Sequence, residues 1–285
     1  MSEFIKIVDC PRDAMQGIHD FIATDKKIEH LHRLLKVGFD TIDAGSFVSP
    51  KIIPQMADTA ELLEAVKEVE HSSKLSVIVA SEGGAERALK HENVDFLGFP
   101  FSISEQFQYD NTNKSRETAF QCVQAIQKKL DGTSKELLIY FSMAFGNPYG
   151  DEWSVDLVKE WTKRFADIGI KRINLSDTTS VAHKEDVENL FETLIPKYPE
   201  IEFGAHFHSE YNAWFDKVDA AYRKGCRRFD GAIKGYGGCP MAKNDLVGNV
   251  PTEKLITYAE SVKAEHGLNL FAFESAYNSA MKVMG

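Results

Sequence analysis

Short runs rich in β-branched and aromatic residues alternate along the chain with longer segments whose apolar positions recur at helical spacing. The runs at 4–8, 39–44, 75–80, 94–99, 136–142, 172–175, 201–205 and 228–233 read as strands. Between them, 26–36, 59–70, 84–91, 115–130, 155–168, 184–194 and 211–224 read as amphipathic helices. Gly38 and Gly225 stand where helices stop, and Asp25, Ser154 and Thr252 stand where N-caps belong. Strands alternating with helices eight times predict an α/β fold. The expectation is a (β/α)8 TIM barrel, a single catalytic domain over 1–285 with closing C-terminal helices near 252–265 and 273–283. The alternative is an open doubly wound sheet, which would carry a Gly-rich phosphate turn after an early strand; here that turn is DCPRDAMQG.

Composition narrows the partners. The 285 residues are 43% hydrophobic, enough for one large core, and 33 Lys and Arg stand against 43 Asp and Glu, a net charge of -10. No basic block interrupts this acidic balance, which argues against nucleic acid and anionic membranes as partners. The N-terminus lacks the pattern of a secretory signal, and a cytoplasmic location is expected. Cys10, Cys122, Cys226 and Cys239 are far apart with no C-x-x-C pair, which disfavours a disulfide framework and a structural zinc site.

In a barrel, polar groups at the C-terminal strand ends meet around one mouth. Those ends carry Asp9, Arg12 and Asp13, then Asp43 and Ser46, then Asp177 and Thr178, then His206 and His208, and finally GYGGCPMAKNDLVGN with Cys239 and Asn249. Asp9 and Asp58 read as turn or capping residues, and His19, His30, His32, His71, His91, His183 and His266 as core or surface histidines. His206 and His208 differ: one residue apart on a strand, they share a face. Two imidazoles and a carboxylate suit Mg²⁺ or Mn²⁺, and equally Fe²⁺ or Zn²⁺. The GYGGC segment reads as an ordinary flexible turn, a phosphate cradle, or a loop that carries a reactive thiol over the site.

The segments VDCPRDAMQG, TIDAGSFVSPKIIPQMAD, NLSDTTSVA, GAHFHSEY and GYGGCPMA with GNVPTE resemble, in order, the signature segments of the 3-hydroxy-3-methylglutaryl-CoA (HMG-CoA) lyase family. The resemblance spans residues 7 to about 254. It implies a divalent-metal enzyme, using Mg²⁺ or Mn²⁺, that cleaves HMG-CoA into acetyl-CoA and acetoacetate in leucine degradation, and it implies a homodimer. By position, Asp13, His206 and His208 would ligate the ion, with Asn249 on or near it. Arg12 would face the thioester carbonyl, Asp177, His206 and Cys239 would be catalytic, and Gln16, Asp43 and Ser46 would line the substrate pocket.

The chain departs from the family pattern near these positions. Ala14-Met15-Gln16-Gly17-Ile18 replaces a Gly-Leu-Gln-Asn-Glu run, and Asp43 replaces Glu. Ser209-Glu210 follows the histidine pair in place of Asp-Thr, and Thr179-Ser180 replaces Ile-Gly. None removes an expected ligand or the thiol; all change the surroundings that set substrate fit. The rival readings are a related aldolase or lyase acting on another hydroxyacyl-CoA or 2-oxo acid, and a non-catalytic acyl-CoA-binding barrel.

Overall fold

The computed structural model describes residues 3–238 and 247–285. Within them β1 (Lys6–Asp9), β2 (Thr41–Ser46), β3 (Lys74–Ile78), β4 (Phe96–Ser102), β5 (Glu136–Ser142), β6 (Arg172–Asp177), β7 (Glu202–Phe207) and β8 (Arg228–Gly231) pair in chain order. All pairs are parallel, and β8 closes on β1 with Val8 beside Asp230. This is the expected TIM barrel.

Helices α1 (Pro11–Gln16), α2 (Thr24–Leu35), α3 (Thr59–Ala65), α4 (Glu82–Ala88), α5 (Glu105–Thr112) and α6 (Arg116–Leu130) cover the first half. Helices α7 (Val155–Asp167), α8 (Lys184–Lys197), α9 (Phe215–Arg223), α10 (Thr252–Ser261) and α11 (Leu270–Met284) cover the second. The hydrophobic pattern did not predict α1 and α5. Helix α1 is too short to show a period, and α5 buries only Phe107 and Gln108, its start fixed instead by Ser104 Oγ accepting from the Phe107 amide at 3.1 Å. Ser154 caps α7 as expected. Asp25 and Thr252 do not cap: α2 starts after Ala23, and Thr252 is the first residue of α10, its hydroxyl donating to Asp9 Oδ1 at 2.7 Å. The closing helix α11 docks on α2, where Arg33 donates to Ser275 at 2.7 Å.

Strand alternation separates two interiors. One face of each strand, with Ile42, Val77, Phe99, Ile139, Ile173 and Phe207, packs against the helices in the main core. Fully burying a side chain of this size stabilises by about 1.5–3 kcal/mol. The other face fills the barrel. A smaller apolar cluster of Ile78, Phe96, Leu138 and Tyr140 occupies the β3–β5 side. Opposite it the filling is polar: the register aligns Ser176 with His206 and His206 with Asp230, so these three sit at one level. The site grows out of that polar side. Among the described residues no helix is long and apolar enough to cross a membrane.

Candidate active site

The turn from β1 into α1 builds the first part of the site. Pro11 opens α1, where a missing N–H costs nothing, and the next two residues are Arg12 and Asp13, both buried. Arg12 spreads its guanidinium over three partners. Its Nε donates to Asp43 Oδ2 at 2.9 Å, its Nη2 to the same oxygen at 2.5 Å, and its Nη1 to Asp13 Oδ1 at 2.9 Å and Gln16 Oε1 at 2.8 Å. Gln16 Nε2 returns a bond to Asp13 Oδ1 at 2.8 Å, and Asn249 Nδ2 donates to Asp13 Oδ2 at 2.7 Å. The Asp13 carboxylate is therefore fixed in orientation before any ligand arrives.

The histidines come from the end of β7. His206 is in the strand, His208 bridges to Asn249 just past it, and their ring centroids lie 5.1 Å apart. One ligand atom from each of Asp13, His206 and His208 falls within 4.8 Å of the others, and all three residues are buried. His206 Nδ1 lies 3.1 Å from Asp230 Oδ2, which also accepts from Asn174 Nδ2 at 2.7 Å. A ring held through Nδ1 keeps Nε2 for the mouth, the arrangement that orients ligating histidines. Gly204 makes room for this: a Cβ there would stand 2.3 Å from Asn174 Oδ1.

The glycine segment closes the far side. Asn249 Nδ2 also donates to the Tyr236 carbonyl at 2.9 Å. Gly237, at φ +99°, approaches so closely that a Cβ would meet the Asp13 carbonyl at 2.6 Å and Asn249 Nδ2 at 2.8 Å. Glycine is therefore required by both backbone angle and space. Cys239, the thiol expected to act over the site, lies outside the described residues.

The electrostatics favour a cation. Burial pushes Asp13 up, yet Arg12, the two histidines and the Asn249 bond outweigh it and hold the carboxyl at about 2. Burial, helped by the neighbouring imidazole, lowers His208 to about 4, so it is neutral near pH 7. Burial also works against protonated His206, but the bond and charge of Asp230 raise it above its usual value. Asn249 Oδ1 is buried without a hydrogen-bond partner among the described residues. An ionised carboxylate, two imidazoles and an orphaned amide oxygen form a donor set that fits one divalent ion.

A cavity of about 460 Å³ opens over these groups, lined by Arg12, Asp13, Gln16, His206 and His208, with Ser176, Thr178 and Tyr140 beside them. Its opposite wall is apolar, with Val48, Ile52, Ile78 and Pro100. Not every expected residue reaches it. Asp43 sits behind Arg12, and Ser46 Oγ accepts from the Val48 amide at 3.1 Å, so neither lines the cavity. Asp177 is also set back: Oδ1 accepts from the Val181 amide at 2.9 Å, while Oδ2 accepts from the Ala182 amide at 3.2 Å and from Lys217 at 2.5 Å.

Asp230, Asn174 and Lys217 escaped the sequence reading. A carboxylate in the middle of β8 and a lysine on the buried face of α9 are signals of the right kind. Their partners became visible only through the barrel register. Cys10 lies deeper still, its ligand atom within 4.8 Å of those of His206 and Asp230, and burial with the surrounding carboxylates keeps its thiol protonated.

The HMGL-like family model matches residues 5–279, and the chain belongs to this family of lyases. The mitochondrial hydroxymethylglutaryl-CoA lyase of Macaca fascicularis is 32% identical over 269 residues, covering 93% of this chain and 81% of that protein. The human cytoplasmic 3-hydroxy-3-methylglutaryl-CoA lyase is 30% identical over 95% of this chain and 73% of its own length. Among solved structures, an HMG-CoA lyase from Acinetobacter baumannii in complex with coenzyme A and 3-methylmalate superposes with a TM-score of 0.90 at 28% identity, covering 99% of this chain and 92% of that one. The Bacillus subtilis HMG-CoA lyase gives 0.92 at 27%, covering 99% and 94%.

Proposed function

We propose that this barrel is an HMG-CoA lyase, cleaving the C2–C3 bond of its substrate to give acetyl-CoA and acetoacetate. The observation that carries the reading is the meeting of Asp13, His206 and His208, with Asn249 bonded to Asp13, beneath a cavity that Arg12 also lines. A divalent ion held by these four would supply Lewis-acid polarisation of a chelated tertiary hydroxyl, lowering its pKa. The related structure with coenzyme A bound supports an acyl-CoA as the substrate class.

Each residue then has a defined task. Arg12, permanently charged and braced by Asp43, faces the thioester oxygen on which negative charge develops as the bond breaks. Gln16 completes the brace and lines the cavity, while Asp43 and Ser46 act from behind the wall. Two groups compete for the hydroxyl proton. Asp177 is set back with both oxygens engaged; His206 lines the cavity with Nδ1 on Asp230, and its mouth-facing nitrogen takes the proton only when it is not on the ion. Cys239 is assigned the return of a proton to the enolate carbon.

The apolar wall of Val48, Ile52, Ile78 and Pro100 suits a branched acyl chain better than a small 2-oxo acid. A substrate panel with Mg²⁺ or Mn²⁺ tests this: HMG-CoA, other 3-hydroxyacyl-CoAs and 2-oxo acids, with products identified by mass. HMG-CoA should be cleaved fastest. Preference for another hydroxyacyl-CoA would overturn the substrate and keep the chemistry. Cys239→Ser should lose most turnover while retaining the ion; loss of the ion would contradict its role.

A further inference from the structure

Lys217 lies on α9 but is 7% exposed. Burying an ammonium is costly unless every proton finds an acceptor, and a methionine of similar length would pack there without that cost. Here all three protons are used. Nζ donates to Asp177 Oδ2 at 2.5 Å, to Ser180 Oγ at 3.0 Å and to the His208 carbonyl at 3.2 Å.

These acceptors belong to two different strand ends. Asp177 ends β6, and Ser180 follows it in the loop with φ at +58°, a conformation uncommon for a residue with a side chain. His208 belongs to the end of β7. The lysine therefore fastens the loop after β6 to the backbone of a residue whose ring faces Asp13 and His206. The His208 amide itself donates to the Asp177 carbonyl at 3.2 Å, and its neighbours pair with the 248–250 segment, Ser209 N–H donating to the Gly248 carbonyl at 2.9 Å and Val250 N–H to the Phe207 carbonyl at 3.2 Å, so the His208 backbone is held from both sides. Asp177 is held away from the mouth by the same contact, and with two backbone amides already on it, it is a strut between Lys217 and the loop.

We propose that Lys217 is a positioning residue: through its bond to the His208 carbonyl it sets the His208 imidazole in the geometry that binds the ion. This rests on the reading that Asp13, His206, His208 and Asn249 hold a divalent cation. It adds a residue remote from the cavity whose chemistry is read out at the ion.

Mn²⁺ serves as the probe on the full-length protein, with dissociation constants from titration and zero-field splitting from electron paramagnetic resonance. Lys217→Met should weaken Mn²⁺ binding about 10–100-fold, the range for residues that orient ligands, and should alter the splitting. Because that variant leaves Asp177 unpaired and can misfold, Lys217→Met combined with Asp177→Asn removes the buried charge as well; once folded, it should show the same weakening. Asp177→Asn alone keeps the bond from Lys217 to His208 and should bind Mn²⁺ nearly as the parent does. A folded double variant with parental affinity and spectrum would overturn the proposal, as would equal weakening by Asp177→Asn alone. Parental protein that binds no Mn²⁺ would instead overturn the metal reading beneath it.

Discussion

His206 Nδ1 faces Asp230 Oδ2 at 3.1 Å, across a contact wholly inside the barrel. The carboxylate settles which nitrogen carries hydrogen and therefore which one is free toward the mouth. Replacing Asp230 with Asn should weaken divalent-ion affinity about 10–100-fold while leaving the barrel folded, since Asn174 and the backbone register remain. Calorimetric titration with Mn²⁺ beside a far-UV spectrum measures both; unchanged affinity would remove Asp230 from the site.

The same pair sets a pH dependence. Asp230 raises His206 above its usual 6.5, whereas His208 and Asp13 stay at about 4 and about 2. Protons therefore compete for His206 first. Ion affinity should begin to fall as pH drops through neutrality, well above the range where His208 protonates. In Asp230→Asn, with the raising carboxylate gone, the onset should move to lower pH. Affinity that stays flat from pH 8 to pH 5 would contradict this assignment.

Asp9 predicts a stability effect away from the mouth. Burial raises its carboxyl from 3.8 to about 7, against the lowering bond from Thr252. The folded protein thus keeps a proton that the unfolded chain releases, so this group stabilises the fold below pH 4. That contribution is lost as pH rises from 4 through 7. The displacement corresponds to at most about 4 kcal/mol. Asp9→Asn should flatten the slope and make the variant relatively more stable at pH 8 than at pH 5, as read by urea unfolding at both values. A parental protein equally stable at both would argue that Asp9 is ionised throughout.

Gly237 and Arg12 test the site from opposite sides. A methyl at Gly237 would collide with the Asp13 carbonyl and Asn249. Gly237→Ala should therefore lower ion affinity and activity together. Arg12→Lys keeps a charge but cannot fork across Asp43, Asp13 and Gln16. Its kcat should fall by roughly a hundredfold at near-parental ion content. Loss of the ion in Arg12→Lys would mean that the guanidinium mainly holds Asp13.

Legibility from sequence followed physical range. The strands were readable because each buries one face among helices and carries a local pattern, and His206 with His208 because strand alternation puts them on one face two residues apart. Helix α5 was not, its start being fixed by a serine cap more than by period. Partnerships across the barrel, such as Asp230 with His206 or Lys217 with Asp177, depend on register between segments 24 and 40 residues apart, which no local pattern encodes. Asp43, Ser46 and Asp177 were placed at the mouth by strand position, yet hydrogen bonds turn their side chains toward Arg12 and the loop backbones.

The most direct test of the central claim is acetoacetate release from HMG-CoA by metal-depleted protein, measured before and after Mn²⁺ is restored. The account predicts negligible release without the ion, recovery of equimolar acetoacetate and acetyl-CoA with it, and no recovery in His208→Ala. Release at the full rate in the depleted protein, or none from a protein shown to have bound Mn²⁺, would contradict it.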